Sequence, residues 1–88
     1  MNEIYSIFDA KAAYYMPPFF ERNDMTAIRA LEAALVEDHP IYKNAEDYQL
    51  FHIGTWRPEE GIIRSTTPKH VTDAWIVKAK LINSRETD

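Results

Sequence analysis

The first apolar cluster along the chain, Ile4-Tyr5-Ser6-Ile7-Phe8, is short, β-branched and aromatic, and Asp9 closes it. Such a run predicts a strand that is apolar on both faces and hence central or covered. The next segment is Ala12-Ala13-Tyr14-Tyr15-Met16-Pro17-Pro18-Phe19-Phe20. Its two prolines remove backbone donors and fix φ, which stops helix and ladder alike and predicts a connection carrying four aromatic rings. From Asn23 or Asp24, either of which can cap free N–H groups, Met25, Ile28, Leu31 and Leu35 recur at helical spacing with Ala27, Ala30 and Ala34. This predicts a helix to about Asp38, with Pro40 setting its end through the restriction on His39. Glu37 and Asp38 would then lie at the negative end of the helix dipole at a cost of a few tenths of a kcal/mol each, with Lys43 or His39 as the compensating group.

Tyr48–Trp56 and Ile62–Ser65 flank Arg57-Pro58-Glu59-Glu60-Gly61, the pattern of a β-hairpin. Pro58 suits the first corner of a type I turn, Gly61 the left-handed position that closes it, and Gly54 a bulge or a close backbone approach. The tail supports two patterns. Thr67-Pro68 reads as a helix start, with Val71, Ala74, Trp75 and Ile82 at helical spacing, while Trp75, Val77, Ala79 and Leu81 alternate as a strand would. One short helical turn leading into a strand satisfies both. The predicted class is α+β: one main helix packed on a small antiparallel sheet containing a β-hairpin, with a C-terminal short helix or strand.

Composition narrows the choices. Eighty-eight residues, 45% of them hydrophobic and 27% charged, make a single globular domain spanning residues 1–88. With no cysteine, a disulfide framework, a thiolate zinc site and a cysteine nucleophile are excluded together. An acid at Glu3 stands where a signal peptide needs basic residues, and no uncharged stretch exceeds nine residues, as in Ala12–Phe20. A soluble, cytoplasmic protein without a membrane span is expected.

The net charge of −4 is unevenly spread. Through Trp56, four basic residues face nine acids; from Arg57 onward, six basic residues face five acids. The gradient either places a modest basic face opposite an acidic body or is ordinary surface variation.

His39, His52 and His70 form no pair at metal-binding spacing, and the only glycines, Gly54 and Gly61, make no phosphate-cradling loop. No metal, cofactor or catalytic residue is therefore expected, and an enzyme is not. The strongest interaction candidate is the stiffened aromatic segment. Tyr14, Tyr15, Phe19 and Phe20 either fill a partner's pocket or, for the tyrosines, stack on unpaired bases; alternatively the phenylalanines plug the core under the helix. Trp56 and Trp75 are expected in the core. Binding of single-stranded DNA needs cations near the stacking rings, and Arg57, Arg64, Lys69, Lys78 and Lys80 supply them. Arg64, Lys78 and Lys80 would form a track if they shared one sheet face.

Met1-Asn2-Glu3-Ile4-Tyr5-Ser6-Ile7-Phe8-Asp9-Ala10-Lys11-Ala12, Pro17-Pro18-Phe19-Phe20, Ala27-Ile28-Arg29-Ala30 and Ala45-Glu46-Asp47-Tyr48-Gln49-Leu50-Phe51 with Ile53-Gly54 resemble the small non-structural protein of gokushovirus-type microviruses. These are single-stranded DNA bacteriophages. The resemblance runs to Gly61 and fades in the tail. It implies a non-capsid phage protein of the host bacterial cytoplasm, DNA-binding or accessory to viral DNA replication and single-strand production, and it brings no catalytic residue. Two expectations follow: a homodimeric single-stranded DNA-binding factor using Tyr14, Tyr15 and the basic residues, or a protein that docks on a host or viral replication protein without touching DNA.

Overall fold

The computed structural model describes residues 2–86, with side chains through Ser84. Strand β1 (Glu3–Asp9) runs through the middle of an antiparallel sheet. Along one side it pairs with β4 (Tyr48–Arg57), which in turn pairs with the edge strand β5 (Ile62–Asp73). Along the other side lie two short strands end to end, β2 (Tyr14–Tyr15) and β3 (Phe19–Glu21). The helices are α1 (Asp24–Ala34), α2 (Pro40–Lys43) with a 3-10 turn at Ala45–Asp47, and α3 (Ala74–Glu86). All of them cover the same sheet face, where Tyr5, Ile7 and Leu50 meet Ala27, Leu31, Leu35, Ile41, Ala45, Ala74 and Val77. The α+β class and the antiparallel sheet agree with expectation. A second long helix, α3, does not: the core is closed by α1 and α3 together rather than by one main helix.

Segment 12–20 is more than a connection. Pro17 and Pro18 do interrupt the ladder, but the residues on either side pair with β1, Tyr15 opposite Phe8 and Phe20 opposite Ile4. An edge position tolerates proline because its missing N–H would face solvent.

Helix α1 begins with a reciprocal cap: Asn23 Oδ1 accepts from the Thr26 N–H, and Thr26 Oγ1 accepts from the Asn23 N–H. The helix stops at Ala34, earlier than expected, because buried Leu35 leaves helical geometry and its N–H turns to the Glu32 carbonyl. Pro40 opens α2 at the first helical position, where a proline fits, and His39 Nδ1 caps it by accepting from the Ile41 N–H at 3.1 Å. Glu37 and Asp38 consequently lie beyond the end of α1, and the expected conflict with its dipole does not arise.

The hairpin forms as predicted. Gly61 has φ +68° and its N–H donates to the Arg57 carbonyl at 2.8 Å. At Gly54 a Cβ would lie 2.7 Å from the Arg64 carbonyl oxygen, so only glycine lets β4 and β5 approach there. The tail reverses the expected order, with strand first and helix second. Thr67-Pro68 starts no helix because it lies on the free edge, at a register irregularity where Thr66–Pro68 stand opposite Ile53. Trp75, expected in the core, is 49% exposed on α3.

Candidate nucleic-acid interface

Directly opposed residues of an antiparallel pair share a face, so the register sorts every strand residue. Tyr5, Ile7 and Leu50 face the helices. The alternate positions face away: Phe8 opposite Tyr15 and Gln49, Ser6 opposite Phe51, Phe51 opposite His70, and Gln49 opposite Asp73. No helix of the described residues packs on this second face. Its residues build a continuous ring cluster, with centroids 4.7 Å apart for Phe8 and Tyr15, 6.2 Å for Phe8 and Phe51, 5.7 Å for Tyr15 and Phe51, and 5.6 Å for Phe51 and His70. Tyr15 and His70 are exposed, and Phe8 and Phe51 are half-buried above fully buried Ser6. Phe20, opposite Ile4, extends the apolar surface on the same face.

A polar network borders the rings. Asp73 Oδ1 accepts from Gln49 Nε2 at 3.2 Å and from His70 Nε2 at 2.8 Å. A carboxylate has no proton to give, so these bonds fix the Gln49 amide and place the shared imidazole proton on Nε2.

The expected site residues divide. Tyr15 and Phe20 lie on the open face. Tyr14 does not: it stands opposite Asp9 on the helix side, beside Tyr48. Phe19 packs against Tyr5, with centroids 6.1 Å apart, and joins the core. The cations are not gathered into a track. Arg64 is opposite Thr55 and approaches Glu60 at 3.5 Å, and Arg57 approaches the same carboxylate at 3.8 Å near the hairpin turn. Lys69 is opposite His52 on the helix side. Lys78 and Lys80 are on α3 rather than on a strand, and the Lys78 ammonium donates to the Tyr42 carbonyl at 2.8 Å while lying 4.1 Å from the Tyr42 ring centroid. These five residues therefore do not share the face that carries the rings.

A concavity of about 520 Å³ opens on the helix side at the start of α1. Tyr5 OH donates to Asp24 Oδ1 at 2.6 Å, His52 Nε2 lies 2.8 Å from Glu3 Oε1, and Arg22, Asn23, Met25 and Lys69 complete the lining. Burial first, and then the Asp24 carboxylate, push the Tyr5 phenol well above its ordinary range. Burial, with Asp9 and Asp47 adding to it, raises Tyr48 as well. Glu3 is thus held by His52 and Thr55 within the sheet, and the Tyr5–Asp24 bond clamps α1 to it. Among the described residues no cluster of three or more histidines or acids could hold a metal ion, and no helix is long and apolar enough to cross a membrane.

A family model described as Phage ORF5 protein matches residues 2–77, from β1 into α3. The chain belongs to that phage protein family. No curated protein sequence and no solved structure matches it. The matched span includes every residue of the ring cluster and its polar border in this ORF5-family chain. Sequence reasoning passed over Phe8, Gln49, Phe51, His70 and Asp73. The available signal was alternation: Ser6 and Phe8 interleave with Tyr5 and Ile7, and Gln49 and Phe51 with Leu50, so a strand apolar on both faces had one face for the core and one for something else.

Proposed function

We propose that this phage protein is a non-structural accessory of a gokushovirus-type microvirus. In the host bacterial cytoplasm it binds single-stranded DNA on its open sheet face, in support of viral DNA replication or single-strand production. The observation that carries this is the uncovered cluster of Phe8, Tyr15, Phe51 and His70. Aromatic rings on a rigid sheet are stacking platforms for unpaired bases, at about 1–3 kcal/mol per base and with little dependence on sequence. Four rings in contact serve only a short stretch of strand, so a homodimer with two such faces is the functional unit.

The placement of cations sets the character of the binding. Each phosphate neutralised on a single strand contributes a slope of about −0.7 to log affinity against log salt. With Arg57, Arg64, Lys69, Lys78 and Lys80 off the ring face, binding is driven by stacking, and a slope shallower than about −1.4 is expected, the value for two phosphates. A fluorescence-anisotropy titration of a labelled oligothymidine across salt concentrations, with mass from light scattering, tests this. Measurable binding with a shallow slope supports the proposal. Absence of binding even at about 20 mM salt would remove it in favour of the second reading, docking on a replication protein. That reading draws on the same scarcity of cations around the rings and on the apolar surface that Tyr15 and Phe20 add to them.

A further inference from the structure

Resting on the single-stranded DNA reading above, we infer that the border of the ring cluster selects guanine among the bases stacked on it, through Asp73 and Gln49. The argument is one of hydrogen-bond polarity. Gln49 spends an amide N–H on Asp73 Oδ1, and His70 spends its Nε2–H on the same oxygen. The groups left over are the Gln49 carbonyl oxygen, its second amide N–H, the second carboxylate oxygen of Asp73 and, in the neutral imidazole, His70 Nδ1. Three of the four are acceptors. No donor side chain other than Gln49 and His70 joins this network among the described residues.

Geometry brings a base edge to this border. His70 is stacked edge-on to Phe51 at 5.6 Å, and Gln49 is two residues from Phe51 on the same strand and the same face. Two residues along a strand span about 6.6 Å, comparable to the reach from the centre of a stacked base through one hydrogen bond at its edge. Single-stranded bases are read on their Watson–Crick edges. Of the four, only guanine presents two adjacent donors there, the ring N–H and the amino group. Thymine offers one N–H between two carbonyls, and adenine and cytosine each offer one amino group beside an acceptor, so each brings one donor group to the border's acceptors where guanine brings two, with the free Gln49 N–H left for the guanine carbonyl. A bond from guanine to the Asp73 carboxylate is charge-assisted and hence among the stronger kinds. The pairing of Asp73 with Gln49 and His70 holds the acceptors in place before the base arrives, so little order is lost on binding.

The test uses four labelled strands of about 12 bases, each oligothymidine with every third position replaced by guanine, adenine, cytosine or left as thymine. The guanine strand is expected to bind about tenfold more tightly than the other three. Asp73→Asn keeps an oxygen for Gln49 and His70 but turns an amino donor outward. It should bring the guanine strand to within about twofold of oligothymidine, read as the ratio of the two affinities measured on the same variant. Gln49→Met, which removes the whole amide and keeps the side chain's volume, should shrink the preference in the same direction, with folding of both variants verified by circular dichroism. Equal affinity of the wild type for all four strands overturns the guanine preference and leaves stacking intact. A preference that survives both substitutions also overturns it. Failure of every strand to bind overturns the stacking reading itself, and the guanine preference with it.

Discussion

Replacing Tyr15 by alanine removes one ring from the open face, and the structure fixes what should follow. Tyr15 touches Phe8 at 4.7 Å and Phe51 at 5.7 Å between centroids, so its loss takes away one platform and loosens two more. A stacking platform is worth about 1–3 kcal/mol per base, which at about 1.4 kcal/mol per tenfold corresponds to a loss of roughly 5- to 150-fold in affinity for single-stranded DNA. The cost to the fold is of similar size and is read separately. Tyr15 sits on a two-residue edge strand and is 42% exposed, and each lost ring contact is worth about 0.5–1.5 kcal/mol. Its neighbour supplies the control. Tyr14 is more exposed, at 55%, yet the register turns it to the helix side opposite Asp9. Tyr14→Ala should therefore leave affinity within about twofold. Fluorescence anisotropy with a labelled oligothymidine at low salt reads both variants, and thermal melts by circular dichroism report on folding. Equal losses from the two substitutions, or a Tyr15→Ala protein that binds as the wild type does, would refute the assignment of the open face.

Three further outcomes follow from the packing. Gly54→Ala should destabilise by about 1–3 kcal/mol in urea unfolding, because its Cβ would meet the Arg64 carbonyl at 2.7 Å, whereas Gly61→Ala, with nothing within 4 Å but φ at +68°, should cost only about 1–2 kcal/mol; a reversed order would show that the hairpin tolerates crowding at Gly54. The folded protein holds Tyr5 protonated well above its ordinary pKa of about 10, so the unfolded chain loses that proton first and stability is complete below about pH 10 and falls above it. Tyr5→Phe should flatten this alkaline decline in urea midpoints, and an unchanged slope would contradict the role of the Tyr5–Asp24 bond. Lys78→Glu and Lys80→Glu should leave affinity for oligothymidine within about twofold, while Lys78→Glu alone lowers the melting temperature by removing the bond to the Tyr42 carbonyl; a large fall in affinity would mean that α3 contacts DNA.

Much of the architecture was legible in residues whose local chemistry leaves one choice. Asn23 with the apolar stripe from Met25 to Leu35 specifies α1, and Gly54, Pro58 and Gly61 specify the hairpin and its irregular pairing. What misled was chemistry that two settings can satisfy. Pro40 can follow one helix or open another, and the burial of Leu35 decided for the second. Thr67-Pro68 can begin a helix or lie on a free strand edge, and β4 offered the edge. The candidate site was harder to see for a related reason. Aromatics are densest in sequence over 14–20, but the sheet gathers its rings one from each of four strands. It divides adjacent Tyr14 and Tyr15, and adjacent Phe19 and Phe20, between opposite faces. The charge gradient along the chain likewise did not survive folding as a basic face, because Lys78 is drawn to Tyr42 and Arg64 to Glu60.

The most direct test of the account is residue-resolved. A titration of isotope-labelled protein with oligothymidine, followed by amide and aromatic chemical shifts in NMR, reports which face meets the strand. The account predicts shifts concentrated at Phe8, Tyr15, Gln49, Phe51 and His70, with α1 and the Glu3–His52 cleft unmoved. Shifts gathered on the helices or the hairpin turn, with the ring cluster silent, would contradict it.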